Sequence, residues 1–295
     1  MAQNKIAPVI ISASRSTDIP AFYPEWLFER IKKGYLEWTN PYNKKNKQII
    51  SFEKTGVIIF WTKNAKPVMK YLKELDKKKI DFYFQYTLND YEKEGLESNV
   101  PTLEDRIKTF QNLSDMIGKD RIIWRFDPLI ISNEIKPEQM LEKVRQIAEK
   151  LNGYTKKLVI SFIDIKKYKK ITGRMAELGI MEFTPAQMEE TAGLLQRENE
   201  KWEFEIASCA EAFGLEKYGI KHNKCIDDGL MRRIFGNNKG LMDFLGSEQP
   251  GLFEGAGNPF KDKGQRKECG CVVSKDIGQY MPCRHGCKYC YANHF

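Results

Sequence analysis

The chain of 295 residues carries 48 Lys plus Arg against 40 Asp plus Glu, a formal charge of +8, with 41% hydrophobic and 30% charged residues. That balance supplies apolar material for a sizeable core and charge enough to cover it, which excludes a disordered chain. No stretch approaches the roughly 18 uncharged apolar residues of a membrane span, and Met1 to Ile6 lacks the apolar run of a secretory signal, so a cytoplasmic protein with no membrane partner is expected.

In chain order, β-branched and aromatic runs alternate with helical periodicity. Val9 to Ala13 is the first strand candidate. An insertion from Gly34 to Phe52 follows, with Tyr35, Leu36, Trp38, Ile49 and Ile50 around Asn-Pro-Tyr-Asn, the pattern of a hairpin. Val57 to Trp61 and Phe82 to Tyr86 are the next strands. Thr102 then opens a helix as N-cap with Asp105 three residues on, Leu103, Ile107, Phe110, Leu113 and Ile117 form its apolar face, and Gly118 closes it. After the strand Ile122 to Phe126, Pro137 sits in a first helical turn, Met140, Leu141, Val144, Ile147, Ala148 and Leu151 share a face, and Gly153 ends the run. Leu158 to Phe162 is a strand, Thr184, Pro185 and Gln187 form a capping box, and Trp202 to Ala207 is the sixth strand. Asp227 to Phe235 reads as a helix, and Gly236 to Gly264, rich in Gly, Pro and Asn, as ordered loop held by something other than secondary structure.

Six strands alternating with helices imply parallel crossovers and a helix-covered sheet, either open or closed wholly or partly into a barrel. No phosphate-binding glycine pattern follows any strand, which favours the barrel. The expected fold is α/β, a partial (β/α)6 TIM-type barrel over residues 1–208, with a cysteine-rich lobe over 209–295 closing the barrel mouth. Chemistry collects at the C-terminal ends of barrel strands, and here those ends are polar. They run into Ser14, Arg15, Ser16, Thr17 and Asp18; Thr62, Lys63 and Asn64; Gln85 and Thr87; Arg125 and Asp127; Ser161 and Asp164; and Glu205, Cys209 and Glu211. Taken singly, Arg125 with Asp127 or Arg15 with Asp18 reads equally well as an ion pair or a loop cap. Their recurrence at six strand ends points to a polar pocket.

All seven cysteines, Cys209, Cys225, Cys269, Cys271, Cys283, Cys287 and Cys290, lie in the last third of the chain, and the first 208 residues contain none. An odd number in a large chain without an export signal is a poor disulfide framework, so a soft-metal site is expected. Cys283-x3-Cys287-x2-Cys290 puts three thiolates on one short loop, able to bind three irons of a 4Fe-4S cluster and leave the fourth iron open. A Cys3His zinc site using His285 or His294 is the alternative, although structural zinc usually pairs two Cys-x2-Cys knuckles. The other four, Cys209, Cys225, Cys269 and Cys271, number a full ligand set for a second 4Fe-4S cluster, and thiolate softness suits zinc equally.

The run Cys283-Arg-His-Gly-Cys287-Lys-Tyr289-Cys290-Tyr-Ala resembles the signature loop of the radical S-adenosylmethionine (SAM) superfamily. The resemblance implies a (β/α)6 partial barrel in which Cys283, Cys287 and Cys290 hold a 4Fe-4S cluster whose open iron is chelated by the amino and carboxylate groups of SAM. It also implies electron transfer from a donor such as flavodoxin or ferredoxin, cleavage of a carbon-sulfur bond, and usually methionine plus a 5'-deoxyadenosyl radical. In most members this loop follows the first strand; here it follows all six, which implies a circularly permuted barrel. Together with Ser12-Ala-Ser-Arg15-Ser-Thr-Asp18-Ile-Pro20 and Ser274-Lys-Asp276-Ile-Gly278-Gln-Tyr280, the loop resembles the uncharacterised bacterial family called domain of unknown function 1848. By analogy Tyr289 packs near the adenine or covers the cluster. No clear Gly-Gly-Glu stretch for the SAM amino group is found, so Ser14, Thr62 and Gln85 are taken as SAM contacts from strand-end position, and Arg15, Asp18, Lys63, Arg125 and Asp127 as SAM or substrate contacts.

The positive charge is dispersed in pairs such as Lys32-Lys33, Lys77-Lys78-Lys79 and Lys166-Lys167, the pattern of a solvated surface, with nucleic acid kept open as a partner. The cysteine loop is similar to that of spore photoproduct lyase, but only within the loop. None of His222, His285 and His294 sits in a recognisable nucleophile setting, which disfavours hydrolase chemistry. Two readings follow: a radical SAM enzyme acting on a small molecule or nucleotide, and a non-catalytic zinc or iron-sulfur protein that binds nucleic acid. An open iron separates them, because a purely structural site completes its own ligand set.

Overall fold

The computed structural model describes residues 4–40, 43–246, 261–278 and 283–292. In chain order its strands are β1 (Asn4–Ile6), β2 (Ile10–Ala13), β3 (Tyr35–Asn40), β4 (Asn43–Ser51), β5 (Val57–Thr62), β6 (Asp81–Thr87) and β7 (Ile122–Leu129). There follow β8 (Ile131–Ser132), β9 (Lys157–Phe162), β10 (Ile180–Met181), β11 (Glu205–Ser208), β12 (Lys221–His222) and β13 (Lys275–Asp276). Eight of these form one parallel sheet in the order β12-β11-β9-β7-β6-β5-β2-β13. The strands expected from sequence are its interior, in chain order without reversal. The expected hairpin is present: β3 pairs antiparallel with β4, and β1 adds in parallel to the other side of β4.

Helices fill the crossovers. They are α1 (Ile19–Phe22) and α2 (Pro24–Lys33) after β2, α3 (Lys66–Met69) and α4 (Leu72–Lys77) after β5, and α5 (Leu103–Ile117) after β6. Then come α6 (Pro137–Leu151) after β7, α7 (Thr172–Glu177) and α8 (Pro185–Asn199) after β9, and α9 (Asp228–Phe235) and α10 (Lys239–Leu245) after β12. The cap chemistry read from sequence operates: Thr102 Oγ1 accepts from the Asp105 amide at 3.2 Å, and at α8 Thr184 Oγ1 accepts from Gln187 N while Gln187 Oε1 accepts from Thr184 N.

Right-handed crossovers that always step in the same direction lay their helices on one face of the sheet. Ile11, Ile58, Phe60, Phe82, Phe84 and Trp124 pack on that face with Leu27, Phe110, Val144 and Ile147. Ile10, Val57, Ile59, Tyr83, Ile123 and Val159 point the other way, onto Cys225, Leu230, Met231, Phe235, Leu241 and Leu245. Burial on both faces is why these strands read as continuous apolar runs rather than as alternating ones.

Two expectations need correction. The sixth strand begins at Glu205 rather than Trp202, because Glu203 adopts a left-handed φ of 58° and Asn199 clamps both backbone groups of Phe204, at 2.8 and 3.0 Å. Glu205 therefore starts its strand and pairs with Lys157 at 3.1 Å, away from the strand's C-terminal end. Within the stretch expected to be loop, Lys239–Leu245 is α10, capped by Asn238, whose side chain also donates to Gly56 O and Asp81 Oδ2. Tertiary anchoring of that cap and burial of Leu241 and Leu245 outweigh a weak local propensity. Residues 247–260 of that stretch lie outside the described residues. The segment after residue 208 places β12 and β13 on the two edges of the main sheet. Among the described residues no helix is long and apolar enough to cross a membrane.

Candidate functional site

Because the main sheet is parallel, the strand C-termini share one edge, and a cavity of about 360 Å³ opens there. Ser14, Arg15 and Asp18 reach it from the loop after β2, Thr62 and Lys63 from the end of β5, and Arg125 and Asp127 from β7. All seven cysteines and Tyr289 line the same cavity. Gln85 is the exception among the expected contacts: it lies fully buried beneath the cavity, donating to the Cys225 carbonyl at 2.8 Å and accepting from Arg125 at 3.2 Å. A larger hollow of about 710 Å³ between α2 and the β3–β4 hairpin is lined by Lys5, Lys33, Glu37 and Glu53 and has no cysteine or histidine, so the chemistry points to the strand-end cavity.

The loop 283–290 is seated by its other residues. His285 Nε2 lies 2.7 Å from Asp18 Oδ2, the same oxygen that accepts the Lys63 amide at 2.7 Å, while Asp18 Oδ1 caps α1 at Ala21 N. Tyr289 donates its hydroxyl to Glu97 and receives hydrogen bonds from Lys63 Nζ and the Asn89 amide, each at 3.0 Å. Backbone contacts join Lys288 N to Leu96 O and Asn99 N to His285 O, and Arg174 donates to Cys290 O at 2.9 Å. Gly286, at a φ of 64°, turns the chain between His285 and Cys287 in a region that favours glycine. The preceding segment is pinned at Asp276, which accepts from Ser12, Ser14, Arg15 N and Gly278 N. Gly278 must be glycine, since a Cβ there would meet Ser14 Oγ at 2.0 Å.

Glu97 is the centre of this seat, and the sequence reading missed it. Burial disfavours its ionisation, but Lys63 at 2.7 Å and Arg106 at 3.3 Å outweigh burial and hold the carboxyl at about 2. The same pair keeps Lys63 protonated against burial. Glu97 sits in the irregular stretch after β6, where no cap, period or motif marks it. Asn89, which bonds Tyr289, Glu97 and the Asp127 backbone, was missed for the same reason.

Cys209, Cys225, Cys269 and Cys271 come together from three segments. Cys209 Sγ and Cys225 Sγ are 3.5 Å apart, the Cys225 amide donates to Cys271 Sγ at 3.2 Å, and Cys269, two residues before Cys271, lines the same cavity. Donors point at these sulfurs: Arg125 Nη1 at 3.0 Å and Asn223 Nδ2 at 3.2 Å from Cys225 Sγ, and the amides of Cys225 and Ile226 at 3.2 and 3.4 Å from Cys271 Sγ. Arg125 also pairs with Asp127, which accepts from Ser161. The contact with Cys225, then burial, raises the Cys209 thiol well above its ordinary value, and burial pushes Cys287 to about 12. A metal displaces such protons on binding. As they stand, no three His, Cys, Asp or Glu side chains among the described residues close around a point as a metal site.

Fold and site together define an α/β protein whose parallel sheet carries, at its strand C-termini, a cavity walled by every cysteine of the chain. Its sequence matches the family described as Domain of unknown function (DUF1848) over residues 10–292, and the chain belongs to that family. No curated protein and no solved structure matches it.

Proposed function

We propose that the chain is a radical SAM enzyme acting on a small molecule or nucleotide bound in the strand-end cavity. The observation that carries this reading is the seating of Cys283, Cys287 and Cys290 on the wall of the cavity at the strand C-termini. The donor set fits a 4Fe-4S cluster, with three thiolates from one loop and no fourth ligand required of it. Monotonic strand order with successive crossovers supports a partial barrel. The position of β13 beside β2, just before the cysteine loop, supports a permuted one in which the loop still follows a strand.

Cys283, Cys287 and Cys290 would hold the cluster, which would supply the one-electron reduction that carbon-sulfur cleavage of SAM requires. The chain's own residues do the rest by position. Lys63, Glu97 and Tyr289 form the seat of the loop, and Asp18 ties His285 of that loop to β5 and α1. Arg15 lines the cavity, where its guanidinium attracts a carboxylate or phosphate of a ligand, whereas Arg125 is committed to Gln85, Asp127 and Cys225. Glu211 lines the cavity with its carboxyl pushed by burial to about 7, so it exchanges a proton near neutral pH. Tyr168 and Tyr291 stack at 4.5 Å in the cavity lining beside Arg266, an aromatic surface on which a planar ligand group can pack.

The test is electron paramagnetic resonance of anaerobically reconstituted, dithionite-reduced protein with and without SAM, beside Cys290→Ala. A 4Fe-4S signal that SAM perturbs in the wild type and not in the variant is expected. Zinc without iron, or an iron signal indifferent to SAM, would sink the assignment and favour a non-catalytic metal protein.

A further inference from the structure

We propose that Cys209, Cys225, Cys269 and Cys271 ligate a metal centre of their own, a soft thiophilic centre independent of anything held by the 283–290 loop. Their convergence is the first ground. Cys209 follows β11, Cys225 precedes α9, and Cys269 and Cys271 belong to the irregular segment before β13, yet all four line one cavity, with the Cys209 and Cys225 sulfurs 3.5 Å apart and the Cys225 amide on Cys271 Sγ at 3.2 Å.

The second ground is what points at the sulfurs. A neutral thiol is a weak acceptor, whereas a guanidinium, a side-chain amide and two backbone amides are directed at Cys225 and Cys271. Donors aimed at sulfur in this way are what ligated thiolates receive from the surrounding protein.

Charge is the third ground. Arg125 is buried against Cys225, and Arg15 approaches the same thiols with its Nη2 buried and lacking a hydrogen-bond partner among the described residues. Arg125 pairs with Asp127 and Arg15 lies 4.0 Å from Asp262, so four thiolates would add negative charge that a metal ion or an iron-sulfur core offsets.

As they stand the four sulfurs do not close around a point, and Cys209 and Cys269 both lie outside helices and strands, so closing the shell moves loop rather than sheet. A site with four thiolates has a complete ligand set, so it holds rather than reacts. What it holds are residues 209–246 and 261–278, which lay short elements across one face of the sheet and reach both of its edges.

The test uses the full chain with Cys283, Cys287 and Cys290 all changed to Ala, produced anaerobically with iron and zinc supplied and analysed for metal and acid-labile sulfide. One zinc per chain, or four irons with four sulfides, is the expected retention, and the ratio says which occupies the site. A Cys209→Ser, Cys271→Ser pair in the wild-type background should lose that complement and keep the SAM-responsive signal. Native alkylation of the wild type gives a measurement that needs no variant: Cys209, Cys225, Cys269 and Cys271 should become reactive only after chelation. Metal lost entirely from the triple variant, or the four thiols alkylated at once in untreated wild type, overturns the proposal and leaves the radical SAM reading standing.

Discussion

The loop bearing Cys283, Cys287 and Cys290 is bound to the protein through its imidazole, its phenol and its backbone, whereas Cys209 meets Cys225 through sulfur, and Cys225 and Cys271 receive donors aimed at their sulfurs. Both sets face one cavity. On the proposed reading, the difference is that of a loop presenting ligands to a cofactor that must also meet substrate, and a set of four ligands that is complete in itself. The first arrangement depends on a buried ion-pair network around Glu97. The second depends on Arg125, Asn223 and two amides. Damage to one seat should therefore leave the other intact.

Glu97→Gln is the strongest way to break that contrast. It strands the Lys63 ammonium and the Arg106 guanidinium in a dry site, and the expected cost is about 3–5 kcal/mol, read from the urea unfolding midpoint. Cys283, Cys287 and Cys290 should become more reactive to alkylation while Cys225 and Cys271 do not. If all seven respond together, the two seats are one unit. Acid should act the same way. The folded carboxyl of Glu97 is held at about 2, below its ordinary 4.5, so its stabilisation is complete above about pH 4.5 and lost as pH falls toward 2. In Glu97→Gln the loss of stability over that window should be shallower.

Removing the imidazole in His285→Ala costs less, about 1.5–3 kcal/mol, because Asp18 keeps its bonds to Lys63 N and Ala21 N. Its signature is weaker iron retention in the C-terminal loop with the four-thiol complement unchanged; equal loss at both would refute separate seats. Gly278→Ala forces a methyl against Ser14 Oγ and should cost about 1–3 kcal/mol by displacing β13 from β2. An unchanged denaturation midpoint would show that the approach relaxes freely. The smallest effect belongs to Thr184→Ala, which removes the cap of α8 away from both seats at about 1 kcal/mol. Thiol reactivity there should stay at the wild-type level, which calibrates what global destabilisation alone does.

Local signals were legible where one residue's chemistry decides a local outcome. Thr102, Pro137, Thr184 and Asp227 each begin a helix as read, and the strand candidates became neighbours in one sheet. Strand-end position also brought Ser14, Arg15, Asp18, Thr62, Lys63, Arg125 and Asp127 to one cavity, because parallel strands share an edge. Position did not reveal what those groups are bound to. Asp18 and Lys63 spend their polar atoms on holding the loop, and Gln85 faces the Cys225 backbone rather than the cavity.

By itself, the sequence determined the order of strands and helices, the helix caps and the Cys283-Cys287-Cys290 loop, since each rests on residues a few positions apart, whereas the meeting of Cys209, Cys225, Cys269 and Cys271 was left to the tertiary structure. Tertiary structure alone decided that the two groupings meet at one cavity, that Glu97 anchors Tyr289, and that Arg125 lies against Cys225, because these partners are 192 and 100 residues apart. A buried ion pair or a sulfur contact leaves no local pattern. Its partners are chosen by where the sheet brings strand ends together and by the cost of leaving a charge alone in the dry interior.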